Sequence, residues 1–184
     1  MSLRFEARCD LGEFREYLKR SGYDGDPDYY EKLVIKDPTR LIVWKENDKI
    51  VGHAVWHESN CEEHSKGSPR DKEDTEALRK LLGKKNGFVE LHEWWLIKNC
   101  RGKGYGNQFL DFFEAYMKSK GCTDLVFYGD HPAALAAFRR HRYREGGYLK
   151  GPKEYIFCHS LEQKPRQCKC ALWHNRKSLL HNRC

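Results

Sequence analysis

No stretch of this 184-residue chain approaches the roughly 20 consecutive apolar residues that cross a bilayer. Its first residues carry no apolar segment of the kind a secretory signal needs, so neither a membrane span nor export is expected. The eight cysteines (Cys9, Cys61, Cys100, Cys122, Cys158, Cys168, Cys170 and Cys184) lack the framed spacing of a disulfide scaffold. We read them as reduced thiols in a cytoplasmic protein. No internal repeat and no low-complexity segment interrupts the sequence. Acidic residues are missing from one place only: residues 163–184 hold Lys164, Arg166, Lys169, Arg176, Lys177 and Arg183 and not one Asp or Glu. Without those six, the 34 basic residues fall to 28 against 27 acidic ones. The net charge of +7 therefore belongs to a tail, and the body is nearly neutral. We divide the chain into a domain over 1–162 and a basic Cys/His-containing tail over 163–184.

What is present suits a folded globule: 39% hydrophobic and 13% aromatic residues, in a chain long enough for one core. A short strand, "LRFEA", precedes a helix with Leu11, Phe14, Tyr17 and Leu18 on one stripe, ended by Gly22. Asp26-Pro27 opens a second helix with Tyr30, Leu33 and Val34 on its apolar side, and Asp37-Pro38 stops it. Two β-rich runs, "RLIVWKE" and "KIVGHAVWHE", flank Asn47-Asp48 as a hairpin. A charged insertion over 58–86 holds a helix capped by Ser68, with Asp71 reaching back and Ala77, Leu78, Leu81 and Leu82 inside. Its Asp71, Glu73, Asp74 and Glu76 read as a solvated face complementing the helix dipole. A long strand "GFVELHEWWLIKN" follows, then a glycine-rich turn, a helix, the strand "TDLVFYG", the helix "HPAALAAFRRHRY", and a final pair of strands.

The turn, Arg101-Gly102-Lys103-Gly104-Tyr105-Gly106, is the chemically informative stretch. It is no Walker A loop, because no Gly-Lys is followed by Ser or Thr for a magnesium ion. It is no Rossmann turn either, since the glycines fall at 102, 104 and 106 and the preceding strand carries Glu90, His92 and Glu93. What remains is a strand running into bare backbone at a helix N-terminus, where free N–H groups and the helix dipole favour an anion. Arg101 and Lys103 add full charges. The arrangement fits a pyrophosphate held by main-chain amides rather than through a metal.

Those six residues resemble the Arg/Gln-x-x-Gly-x-Gly/Ala signature of the GNAT superfamily of N-acetyltransferases, and the resemblance extends over the element order from about residue 3 to 161. It implies an α/β fold with a mixed, mostly antiparallel central sheet flanked by helices, here with a helical insertion between the third and fourth strands. It implies acetyl-CoA as co-substrate, no metal, and an amine acceptor, either a small molecule or a protein amine. Position by position, Trp95, Leu96 and Ile97 fall where the strand end pairs with the pantetheine arm, and the Leu96 N–H where the thioester oxygen is held. Arg101, Gly102, Lys103, Gly104, Tyr105 and Gly106 would cradle the diphosphate, with Asn107 as a further donor. Glu90 matches the glutamate that deprotonates the amine in histone-acetylating members, and Glu93 is the second candidate for that role. By strand alternation Glu90 and His92 share one face and Glu93 takes the other.

One departure stands out. Many members have an Asn at the start of the next helix and a Tyr seven residues on that protonates the CoA sulfur; this chain has His131 and Phe138. Tyr128 and Tyr143 are the available substitutes. The missing phenol keeps a second class of function in play, a non-catalytic acyl-CoA-binding or nucleic-acid-binding module. Trp94 and Trp95 place one indole on each sheet face, chiefly as packing. His53 and His57 share a face of the third strand, either lining the acceptor cleft or satisfied beside the core. In the tail, Cys168, Cys170, His174, His181 and Cys184 are soft ligands without a matching second pair, so no metal is expected. Six positive charges without an RNA-binding motif do not make nucleic acid an expected partner. Leu172, Trp173, Leu179 and Leu180 offer a docking face for the body or for a second copy in a homodimer.

Overall fold

The structure, a computed structural model, describes residues 3–25, 27–83 and 85–162. β1 (Leu3–Ala7) leads into α1 (Leu11–Ser21), which Asp10 caps by accepting from the Glu13 N–H at 2.9 Å and Gly22 ends in the left-handed conformation. α2 (Pro27–Lys36) follows, then β2 (Leu41–Glu46) and β3 (Lys49–Asn60). The hairpin turn between them holds Asn47 and Asp48 at φ of 50° and 63°, the paired positive values that match strand twist. α3 (Asp71–Leu82), β4 (Gly87–Leu96), α4 (Tyr105–Ser119), β5 (Asp124–Gly129), α5 (Pro132–Arg140), β6 (Arg144–Leu149) and β7 (Glu154–Ser160) complete the chain. The strands form one seven-stranded sheet in the order β1-β2-β3-β4-β5-β7-β6. Every pairing is antiparallel except that of β4 with β5. No helix among the described residues is long and apolar enough to cross a membrane.

Helices cover both faces. α4 and α5 press Phe109, Leu110, Phe113, Met117 and Phe138 onto Trp44, Trp56, Phe127 and Phe157. Each fully buried aromatic or aliphatic side chain contributes about 1.5–3 kcal/mol by leaving water. On the opposite face α1 and α2 seat Phe14, Tyr17 and Val34 on Leu41, Val43, Ile50 and Val55, while α3 seats Leu78, Leu81 and Leu82 near Val126, Leu149 and Ile156. Trp94 joins the first cluster and Trp95 the last-but-one layer under α1, so the two indoles do take opposite faces.

Four expectations are corrected. β3 runs on through His57, Glu58 and Ser59 to Asn60, which pairs with Gly87, so the insertion starts at Cys61 rather than at residue 58. Ser68 does not cap α3: its carbonyl accepts from Asp71 N inside a run of turns, and the helix begins after Arg70 with no side-chain cap. Asp71 reaches back to the Gly67 N–H at 3.0 Å instead. Asp74, expected on a solvated face, is fully buried, bonded to Ser65 and to the Tyr128 hydroxyl. Finally, a β-bulge breaks the alternation in β4. Leu91 pairs with Trp56 and Glu93 with Val55, which leaves His92 as the extra residue. The phase slips by one, so Glu90 and Glu93 lie on the same face.

Candidate active site

β4 and β5 pair only over Val89–Leu91 and Leu125–Phe127. Beyond Leu91 the bulged strand bends away and the two separate. The gap is a cleft of about 710 Å³, walled by β4 from Leu91 to Leu96, the end of β5, the start of α4 and the inner side of α5. Along its β4 wall the backbone is half-used. Ile97 N–H donates to Val51 O at 2.9 Å on the β3 side, so alternation turns the Leu96 N–H the other way, toward the cleft. The Leu96 carbonyl on that edge accepts from Arg101 Nε at 2.8 Å. Trp95 and Leu96 line the cleft, whereas Ile97 is packed between core clusters outside it.

The glycine turn closes one end. Gly102 and Gly104 sit at φ of 77° and 80°, a region that a β-branched residue avoids, and a Cβ on either would meet open space, not protein. Gly104 O already accepts from Asn107 N and Gln108 N at 3.2 and 3.3 Å. The N–H groups of Tyr105 and Gly106 precede the helix ladder and face outward without a helical carbonyl to bond. Arg101, Gly102, Gly104, Tyr105, Gly106 and Asn107 all border the cleft; Lys103 does not, standing over the Tyr105 ring at 5.7 Å. Arg101 lies flat on Trp95 at 4.6 Å, and the Tyr105 hydroxyl donates to Glu46. Asn107 Oδ1 is buried without a partner.

At the α5 end, His131 caps the helix by accepting from Ala133 N at 3.2 Å, and its ring borders the cleft. Phe138 also borders it, but the side chain is 1% exposed, stacked on Trp94 at 5.6 Å and packed on Phe127 and Phe157 at 5.1 and 5.2 Å. Neither substitute phenol is uncommitted. Tyr128 OH donates to Asp74 at 2.6 Å and Tyr143 OH to Glu114 at 2.5 Å. Burial first, then those carboxylates, push both phenols well above the usual range.

The acids divide sharply. Glu93 lines the cleft and accepts from the Tyr23 hydroxyl at 3.3 Å. Glu90 does not line it; the residue is 2% exposed, with His92 Nδ1 3.1 Å from Oε1 and His57 and His64 Nε2 3.0 and 3.3 Å from Oε2. Burial alone would raise its carboxyl, but the neighbouring imidazoles of His57, His92 and His64 outweigh it and hold it below the ordinary range. His57 is opposed by burial yet raised by Glu90. His53 is sealed under α1, fully buried, its Nδ1 3.2 Å from Tyr17 OH, and burial pushes its imidazole down to about 3. Neither His53 nor His57 lines the cleft. The cleft's other acids, Asp130 and Glu154, and His64 escaped sequence reading, and Asp74 was read only as part of a solvated helix face; they lie at strand ends and in the insertion, with no local pattern to mark them.

The sequence profile of the acetyltransferase (GNAT) family matches residues 10–143. No curated protein sequence matches the chain. Among solved structures it is similar to Drosophila melanogaster polyamine N-acetyltransferase, which forms N-acetylagmatine, at 11% identity and a TM-score of 0.62 over 86% of this chain and 100% of that one. It is similar to arylalkylamine N-acetyltransferase 2 from Aedes aegypti at 13% identity and a TM-score of 0.64, over 88% and 100%. The ribosomal-protein-S18-alanine N-acetyltransferase of Escherichia coli superimposes with a TM-score of 0.58 at 10% identity, over 90% and 98%. A parallel strand pair that splays beside a glycine turn opening a helix, within a sheet of this order, matches the profile's span: the chain belongs to the acetyltransferase (GNAT) family.

Proposed function

We propose that the protein moves the acetyl group of acetyl-CoA onto an amine by direct attack on the thioester. The observation that carries this reading is continuity: one cleft joins an open β4 edge to the unpaired amides of the glycine turn. Trp95 and Leu96 would pair with the pantetheine arm. The diphosphate would sit on the Gly102–Gly106 backbone beside Arg101 and Lys103, with Asn107 as an added donor, and His131 and Phe138 would flank the thioester end. The Leu96 N–H aims where an oxyanion develops, and one preorganised donor there supplies on the order of 3 kcal/mol.

An alkylammonium with a pKa near 10 must lose a proton before attack. Glu93 is the cleft carboxylate carried by β4 and the group we assign to accept it. Glu90, at the matching family position, is buried three residues earlier on β4, outside the cleft lining. The amine nitrogen bonds the acyl carbon, the tetrahedral intermediate collapses, the C–S bond breaks with its electron pair leaving on sulfur, and the surplus proton on nitrogen passes to that thiolate or to solvent. A thiolate with a pKa of roughly 8 to 9 leaves without a tyrosine's help. Glu93, Asp130 and Glu154 line the cleft against Arg101 and Arg140, and these carboxylates favour a cationic amine. The structural neighbours named for polyamine, arylalkylamine and protein-terminal acetylation all take amines.

The test is CoA thiol release with a panel of agmatine, spermidine, tryptamine, and peptides bearing a free N-terminus or a lysine. Acceptor-dependent release is expected. Tight CoA binding with no release across the panel would favour the non-catalytic reading, which the buried Phe138 otherwise supports.

A further inference from the structure

Behind the cleft, three side chains from three separate elements converge. His57 comes from β3, Glu90 from β4 and His64 from the turns that precede α3. One ligand-type atom from each lies within 4.8 Å of the others. Glu90 Oε2 is 3.0 Å from His57 Nε2 and 3.3 Å from His64 Nε2. Two ligands of a tetrahedral ion at 2.0–2.1 Å bond length stand roughly 3.3 Å apart.

The hydrogen-bonding pattern does not account for this convergence. Glu90 Oε2 and His64 Nε2 are buried and have no hydrogen-bond partner in suitable geometry. His57 Nδ1 is 3.2 Å from Glu58 O, a carbonyl that can only accept. The proton therefore sits on Nδ1, and in the neutral ring Nε2 presents a lone pair to a carboxylate oxygen. His64 Nδ1 is likewise tied, to Ser59 Oγ at 3.2 Å. Metal-bound histidines are oriented in this way, the far ring nitrogen bonded to a backbone or side-chain oxygen. His92 Nδ1, 3.1 Å from Glu90 Oε1, fixes the carboxylate so that Oε2 faces the two imidazoles. Asp74 Oδ2 lies 3.6 Å from His64 Nε2.

We propose that His57, His64 and Glu90 bind a divalent transition-metal ion of the zinc class, with two neutral imidazoles and one carboxylate as ligands. This departs from the sequence expectation of no metal and is independent of the acetyl-transfer reading. Its role is to staple the insertion: the ion ties the turns before α3 to β3 and β4, directly behind the bulge at His92. It also commits Glu90 to the ion and leaves Glu93 to the amine's proton. Imidazole and carboxylate ligands suit zinc and cobalt over magnesium or calcium, which prefer all-oxygen shells.

Co²⁺ is the probe. Full-length protein is stripped with EDTA, dialysed into Co²⁺ and followed by visible absorption and metal content. We expect one Co²⁺ per chain with d–d bands and no thiolate-to-cobalt charge transfer, and a melting temperature that rises with Zn²⁺. His57→Ala, His64→Ala and Glu90→Gln should each weaken binding at least tenfold, while Cys168→Ser/Cys170→Ser should not. His57→Asn, with circular dichroism on every variant, separates lost binding from lost folding. Wild-type protein that takes up no Co²⁺ would overturn the site, as would a spectrum dominated by thiolate charge transfer that disappears in the cysteine variant. Undiminished binding in His57→Asn and Glu90→Gln would overturn it equally.

Discussion

Between Val89 and Leu91, β4 has β3 on one edge and β5 on the other; between His92 and Leu96 it keeps β3 and loses β5. The first half buries Phe88, Val89, Glu90 and Leu91, and the second half leaves every residue partly exposed. One extra residue at the bulge separates them. In the sealed half, polar chemistry is made by side chains that converge on one another: Glu90 with His57, His64 and His92. In the open half it is made by backbone, the Leu96 N–H and the amides of the glycine turn. The two halves thus place a buried carboxylate and an open backbone edge on one strand, on opposite sides of the bulge.

The sharpest way to break this division is to move the proton acceptor. Glu93→Gln should lower turnover about a hundredfold, at the low end for a positioned general base, with acetyl-CoA affinity unchanged. The deficit should shrink as pH rises and the amine deprotonates without help. If Glu90→Gln produces that pattern and Glu93→Gln does not, proton acceptance lies in the sealed half and the assignment reverses.

Next in size is the glycine turn. Gly104 holds φ at 80°, so Gly104→Val both strains the backbone and puts a branched side chain where the diphosphate would lie. CoA affinity by calorimetry should fall at least tenfold, about 1.4 kcal/mol. Unchanged affinity in a folded variant would remove the pyrophosphate from this turn.

A smaller effect tests how tightly the face of the open half is closed. His53 pairs across the sheet with Trp95 and is packed by Phe14, Tyr17 and Tyr23 at 5.2, 5.6 and 5.0 Å. Burial lowers its imidazole from 6.5 to about 3. Above pH 6.5 the ring is neutral folded and unfolded, so it gives no pH dependence. Below that the unfolded chain binds a proton that the folded one refuses, and stability falls as pH drops toward 3. The slope from one such group is at most about 1.4 kcal/mol per pH unit. Urea unfolding from pH 7 to 4.5 should show a shallower decline in His53→Phe, despite a lower starting stability from the lost Tyr17 bond. Equal slopes would mean water reaches His53.

These tests follow the line between what was legible in the sequence and what was not. Element order, the Asn47-Asp48 turn, the Gly22 stop and the glycine turn that opens α4 rest on local rules, and each appears at the residues that carry the rule. The bulge at His92 has no such signature. Alternation in "VELHEWW" reads smoothly, and only the pairing with β3 reveals the slipped phase that puts Glu90 and Glu93 on one face. His64 and Asp74 were invisible for a related reason: both sit in a charged insertion whose polar residues look solvated until α3 packs them against Tyr128. Cys168, Cys170, His174, His181, Cys184 and the apolar residues of the tail lie outside the described residues; Cys9, Cys61, Cys100, Cys122 and Cys158 are free thiols.

The smallest expected change in turnover is at Phe138, where the chain departs from the family's usual tyrosine. The ring is held on several sides, by Trp94, Phe127, Phe157 and Tyr143 at 5.9 Å, and Gly129 backs it so closely that a Cβ there would stand 3.5 Å from the ring edge. A phenol in that setting gains a hydroxyl with no polar partner near the ring, which costs roughly 1–3 kcal/mol unless it reaches the cleft. Phe138→Tyr should therefore lower the melting temperature and change turnover by less than about twofold. The added hydroxyl speeds turnover only if thiolate departure limits the rate, in which case a positioned acid is capable of about a hundredfold. A tenfold gain in turnover at unchanged stability would show that the hydroxyl does reach the sulfur and that departure is slow in the native enzyme. The open half of the cleft would then extend to α5, beyond the β4 edge.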